Sequence, residues 1–145
     1  MTDSQIPSAL ERLIRALNGH DLAAVASCFA DDYVNHTPAH PARGFVGREQ
    51  VRRNWAQIFA GVPDVRAGLM RTAVDGKTVW SEWELAGTRA DSTAFQLRGV
   101  VIFQINDEVI TAATFYLEPV EHLSGGPDQA IQRVVADPST PRERS

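Results

Sequence analysis

The segment Asp31-Asp32-Tyr33-Val34-Asn35-His36-Thr37-Pro38 gathers the side chains of this chain that can do polar chemistry at close quarters. Tyr33, Asn35 and Thr37 are spaced by two, and alternate residues of a strand share a face. A phenol, an amide and a hydroxyl on one face can orient a carbonyl, an epoxide or a water molecule. Equally, they can form a hydrogen-bonded strand end that shapes the next loop. His36 falls on the opposite face by alternation, although the twist ahead of Pro38 can still carry it to the mouth of a pocket. An unperturbed imidazole titrates at about 6.5, which makes His36 the proton carrier of a catalytic reading. In a structural reading it is a histidine bonded to backbone.

Other candidate groups carry weaker chemistry. His36 and His40 lie four apart, a spacing that suits a metal only on a helix, and Pro38 and Pro41 forbid that helix. No third ligand is near in sequence, so no metal and no cofactor are expected. Glu82 and Glu84 are a close carboxylate pair, the kind of arrangement that acid/base chemistry uses. Their strand phase turns them away from the expected core, so they read as interface charges, and a slip of one residue would invert that reading. Cys28, the single cysteine, sits in an apolar helical stretch and reads as core. Trp55 and Trp83 read as core that doubles as pocket wall.

The elements that must position these groups follow from periodicity. Ile6, Ala9, Leu10, Leu13, Ile14 and Leu17 recur at helical spacing, and Asn18-Gly19 ends that helix with a glycine suited to a left-handed cap. Asp21 caps a second helix expected to run to about Ala30. Tyr33 to Thr37 reads as a short strand, and Pro38, Pro41 and Gly44 make the next stretch a loop. A third helix, from near Gly47 to near Gly61, carries a stripe of Val51, Trp55, Ile58 and Phe59. Four strands follow, at about Val65–Val74, Thr78–Gly87, Ala94–Asn106 and Val109–Pro119, with hairpin signals at Asp75-Gly76 and Asn106-Asp107. The predicted fold is therefore α+β, with three N-terminal helices packed on a curved antiparallel sheet. Residues 1–121 form the domain. Residues 122–145 form a tail with one short helix over Pro127–Ala136 and disorder from Pro138 onward.

The two faces of the expected sheet differ. Val79, Ser81, Trp83 and Leu85, with Leu97, Gly99, Val101 and Phe103, and with Ala113, Phe115 and Leu117, form an apolar set that should face the helices. The opposite set mixes Trp80, Val100, Ile102 and Tyr116 with Glu82, Glu84 and Arg98. Such a mixture suits a protein interface better than water, and a homodimer formed sheet to sheet is expected. Arg98 is expected to pair with Glu82 or Glu84.

Composition sets the outer bounds. The chain has 145 residues, 43% apolar and 22% charged, with a formal net charge of −4. One soluble domain with a sizeable core fits those values. Nucleic acid is not an expected partner, because phosphate binding needs clustered Lys and Arg. Arg48, Arg52 and Arg53 are the densest basic cluster and read as a solvated helix face. No apolar stretch reaches membrane-spanning length. Met1 to Pro7 shows no basic region followed by an apolar run, so the cytoplasm is expected.

The assembled pieces resemble the SnoaL-like group within the nuclear transport factor 2-like superfamily. They are Ala16-Leu17-Asn18-Gly19-His20-Asp21-Leu22, Cys28-Phe29-Ala30-Asp31-Asp32-Tyr33-Val34-Asn35-His36, Gly47-Arg48-Glu49-Gln50-Val51, Trp83 to Gly87, and the hairpin Val101 to Glu118. The resemblance implies a cone-like α+β barrel with a deep pocket, usually dimeric. Its members include polyketide cyclases, ketosteroid isomerases, limonene epoxide hydrolases and non-catalytic binding modules. The residues that a ketosteroid isomerase uses as base and oxyanion donors stand here as Thr37, Leu13 and Val101. A cyclase's acid/base aspartate stands as Phe115. The epoxide hydrolase's Tyr-x-Asn pair is present as Tyr33-Val34-Asn35, but its Asp–Arg–Asp relay reads Trp83, Leu85 and Phe115. Two readings follow. One is an isomerase, cyclase or hydrolase of an apolar polyketide- or terpene-like compound. In it Tyr33, Asn35 and His36 are catalytic, and Thr37, Trp55, Trp83, Val101 and Phe115 contact substrate. The other is a non-catalytic ligand-binding or dimerisation module.

Overall fold

The computed structural model describes residues 6–136. Helix α1 spans Ser8–Asn18 and buries Ala9, Leu10, Leu13, Ala16 and Leu17 along one face. Burying each of the larger side chains contributes roughly 1.5–3 kcal/mol relative to leaving it exposed. The left-handed residue that ends α1 is His20 (φ 53°), and Gly19 keeps a right-handed φ of −85°. Asn18 then works as a strand neighbour. Its amide donates to the Ala67 carbonyl at 3.0 Å and accepts from the Ala67 N–H at 2.7 Å.

Helix α2 is shorter than its apolar pattern implies, spanning Leu22–Ser27 with Asp21 accepting from the Ala24 N–H at 3.1 Å. Strand β1, Phe29–His36, begins where the sequence reads as helix. Long-range pairing decides this: Phe29 aligns with Ile110, and the Ile110 N–H reaches the Cys28 carbonyl at 3.0 Å. A short strand β2, Phe45–Val46, is added where a loop is expected, and it pairs antiparallel with Val34 and Asn35. Between β1 and β2 lies a single 3-10 turn, Pro41–Arg43. Helix α3 follows over Arg48–Gly61.

Strands β3 (Arg66–Asp75), β4 (Thr78–Thr88), β5 (Ala94–Asn106) and β6 (Val109–Pro119) form the expected meander. The six-stranded sheet has the order β2-β1-β6-β5-β4-β3. It is not wholly antiparallel, because β1 runs parallel to β6. That exception follows from connectivity, since most of the chain intervenes between the two strands. The β5–β6 turn places Asp107 (φ 52°) and Glu108 (φ 68°) in the left-handed region, as a two-residue hairpin turn of this twist requires.

Helices α1, α2 and α3 cover one face of the sheet. Leu10, Leu13, Leu17, Val25 and Val51 pack there with Val79, Trp83, Leu85, Val101, Phe103, Ile110 and Ala113. On the other face Trp80 is 50% exposed and Tyr116 is 45% exposed. Glu82 pairs with Arg71 at 2.7 Å and Glu84 with Arg98 at 3.4 Å on that outer face, so neither carboxylate turns toward the core. Helix α4 spans Pro127–Ala136, with Ile131, Val134 and Val135 exposed. The disorder expected from Pro138 to the C-terminus lies outside the described residues. No helix among the described residues is long and apolar enough to cross a membrane.

Candidate functional site

Strand alternation sends Tyr33 and Asn35 to the helix side of the sheet, where both are buried. The Tyr33 ring packs edge-on to Phe29, with ring centroids 4.8 Å apart at 76°. Its hydroxyl donates to Asn35 Oδ1 at 2.7 Å, and Asn35 Nδ2 donates to Thr37 Oγ1 at 3.2 Å. The trio is therefore one hydrogen-bonded chain, running from the buried phenol outward to the threonine. Burial pushes the Tyr33 phenol up from its ordinary value, so it stays protonated and cannot serve as a base at neutral pH.

This chain forms part of the wall of a cavity of about 320 Å³. Strand β1 supplies Phe29, Tyr33 and Asn35, and the segment after it supplies Thr37, Arg43 and Phe45. Helix α3 contributes Val51, Asn54, Trp55 and Ile58 at helical spacing, and the sheet contributes Leu85, Leu97, Phe115 and Leu117. The lining is mostly aliphatic and aromatic, with a small set of aimed polar groups, the usual make-up of a small-molecule site.

Five of the residues singled out in the sequence line this cavity: Tyr33, Asn35, Thr37, Trp55 and Phe115. Three do not. His36 is exposed on the opposite side of β1, because strand alternation holds to the end and the twist does not bring it round. Trp83 lies in the core and not on the wall. Its indole N–H donates to Ser81 Oγ at 2.8 Å, Ser81 donates on to the Val101 carbonyl at 2.5 Å, and the ring meets Phe103 edge-on. A buried indole needs such a partner, and Ser81, two residues back on the same face, supplies it. Val101, only 1% exposed, is sealed in the same layer.

Arg43 and Asn54 are polar wall residues that the sequence reading passed over. Asn54 had a legible signal, since Val51, Asn54, Trp55 and Ile58 fall at i, i+3, i+4 and i+7. Arg43 had none, because its place depends on how the loop folds back toward α3. His40 is drawn away from metal chemistry by Glu118, whose carboxylate lies 3.0 Å from Nε2. Among the described residues no three His, Cys, Asp or Glu side chains gather as a metal site would require.

The arrangement can hold a small apolar molecule and hydrogen-bond its polar end. Among the described residues no carboxylate and no imidazole belongs to the wall. The model of the SnoaL-like domain matches residues 10–113. No curated protein matches the chain. Among solved structures, a protein of Catenulispora acidiphila with a ketosteroid isomerase-like fold, in complex with trimethylamine, is 22% identical with a TM-score of 0.68, covering 77% of this chain and 87% of that one. An epoxide hydrolase of Mycobacterium tuberculosis, of the limonene epoxide hydrolase-like kind, is 20% identical with a TM-score of 0.66, covering 77% and 81%. Another protein of Mycobacterium tuberculosis, in complex with estradiol-17β-hemisuccinate, is 20% identical with a TM-score of 0.65, covering 77% and 94%. At these identities the likeness is one of fold.

Proposed function

Since the chain belongs to the SnoaL-like domain family, we propose that it is a small-molecule pocket protein whose ligand is an apolar compound of polyketide or terpene size. The carrying observation is the cavity of about 320 Å³, greasy except for the Tyr33–Asn35–Thr37 chain and the polar ends of Arg43 and Asn54. The apolar wall supports binding through area removed from water, and the polar chain supports orientation. Binding without turnover is the reading favoured here. General acid–base catalysis needs a group that exchanges a proton near neutral pH. Tyr33 is held protonated, and His36 stands outside the wall.

The test uses the neutral apolar dye N-phenyl-1-naphthylamine. Its fluorescence should rise on binding. Trp55→Ala should weaken that binding at least about fivefold, in line with loss of a large aromatic wall, and His36→Ala should leave it unchanged. Equal weakening by both variants, or no binding by the native chain, overturns the reading.

The catalytic reading has one observation in its favour. Asn35 is buried and fixed from both sides, which suits an amide that orients a carbonyl, epoxide or water. In that reading Asn35 polarises the substrate through its remaining N–H as an isomerase, cyclase or hydrolase would, Tyr33 holds the Asn35 amide in place, and the proton must be carried by the substrate or by solvent. Asn35→Ala that abolishes turnover of an identified substrate while retaining its binding would favour this reading over simple binding.

The outer sheet face supports a further proposal, a homodimer. Trp80 and Tyr116 stand exposed on that face with Met70, and the Arg71–Glu82 and Arg98–Glu84 pairs lie among them. An apolar patch crossed by ion pairs is the make-up of an interface core and rim.

A further inference from the structure

We infer that the cavity selects an apolar anion, a carboxylate carried on a flat hydrocarbon body, with the carboxylate at the mouth and the body inside. The inference rests on the binding reading above and narrows its ligand class. Its basis is the direction of the hydrogen bonds around the opening. Asn35 accepts from the Tyr33 hydroxyl and gives one N–H to Thr37, so a second N–H remains. Thr37 accepts from Asn35, and its own hydroxyl proton is left to donate. Asn54, on the cavity wall, accepts from Gln50 Nε2 through Oδ1 at 2.8 Å, and its Nδ2 has no acceptor among the described residues. Arg43 adds a guanidinium with five N–H groups and no acceptor of its own.

Every proton left over at the mouth is therefore waiting for an acceptor. The supply of acceptors from the protein is small. Among the described residues no carboxylate lines the cavity, and none pairs with Arg43. Glu118, the acid at the end of β6, points to the other side and is engaged by His40. Arg48 is committed to Asp31 at 3.1 Å. Arg43 is exposed at the rim of the cavity whose wall also carries these amide and hydroxyl donors, and a guanidinium with such donors favours an ionised oxygen pair over a neutral amide, an alcohol or an amine. An ammonium ligand would meet donors and like charge.

Three probes share one body and differ in one group: 2-naphthoate, 2-naphthamide and 2-naphthylmethylammonium. Their affinities for the full chain are measured by isothermal titration calorimetry at neutral pH and low salt. The acid is expected to bind at least roughly tenfold tighter than the amide, and the ammonium weakest, as charge-assisted bonds outweigh neutral ones. Arg43→Gln should weaken the acid at least about fivefold more than the amide, and so lower the acid-to-amide ratio, because a charge-assisted bond loses more than a neutral one. Arg52→Gln, which removes an exposed charge on α3 outside the cavity wall, should leave the ratio unchanged. Equal binding of acid and amide overturns the anion inference and leaves the pocket reading intact. The same holds for a ratio that Arg43→Gln does not alter, or that Arg52→Gln lowers equally. Failure of all three probes to bind overturns both.

Discussion

Tyr33 is the residue on which the site turns. Its phenol is buried, its proton goes to Asn35, and Asn35 is thereby aimed at Thr37. A phenol whose folded-state pKa is raised stabilises the fold fully below its ordinary pKa of about 10 and loses that contribution as pH climbs through the folded-state value. Above about pH 10 the native chain should therefore lose stability by up to about 1.4 kcal/mol per pH unit from this one group. Tyr33→Phe should lack that component, and denaturant midpoints measured from neutral to strongly alkaline pH read the difference. Tyr33→Phe should also cost about 1 kcal/mol at neutral pH, for one hydrogen bond with its acceptor left buried. Trp83 and Trp55 separate core from wall. Trp83→Phe should lower the unfolding free energy by about 1–3 kcal/mol and leave dye binding alone, whereas Trp55→Ala acts chiefly on binding. The sequence already carried the trio, because a spacing of two needs only a strand. It could not separate Trp83 from Trp55. Both are aromatic and on inward faces, and only the Ser81 partner and the depth of packing tell them apart.

At the scale of elements, local signals succeeded where local forces decide. Asp21 caps α2 as expected, and the four-strand meander falls within a residue or so of its predicted bounds, because alternation and turn chemistry are written in short windows. They failed where distant pairing decides. Residues near Phe29 have a helical pattern, yet β6 draws them into a strand, and Phe45–Val46 becomes a strand only because β1 offers an edge. The parallel β1–β6 pairing has no local signature at all. At Gly99 the backbone of β6 lies close against β5. The glycine sits at φ 153°, and a Cβ there would collide with the Tyr116 carbonyl. Gly99→Ala should therefore destabilise the chain by about 2 kcal/mol or more, seen as a lower midpoint in chemical denaturation. A variant as stable as the native chain would show that the two strands can part at little cost.

For the whole molecule, the helices and the concave apolar sheet face enclose the cavity, and the outer face is left with aromatics half exposed. If that face joins two copies, Trp80→Glu should shift the chain from dimer to monomer in sedimentation velocity while preserving the far-ultraviolet circular dichroism of the fold. A native chain that sediments as a monomer at high concentration would remove the dimer proposal. The cavity itself is most directly tested through the three tryptophan indoles, which stand at its wall, behind it and outside it. In an amide and indole nitrogen–proton correlation spectrum, titration with 2-naphthoate should move the Trp55 indole most, leave Trp83 little changed and leave Trp80 in place. A spectrum in which Trp80 moves and Trp55 does not would contradict a ligand site between α3 and the sheet.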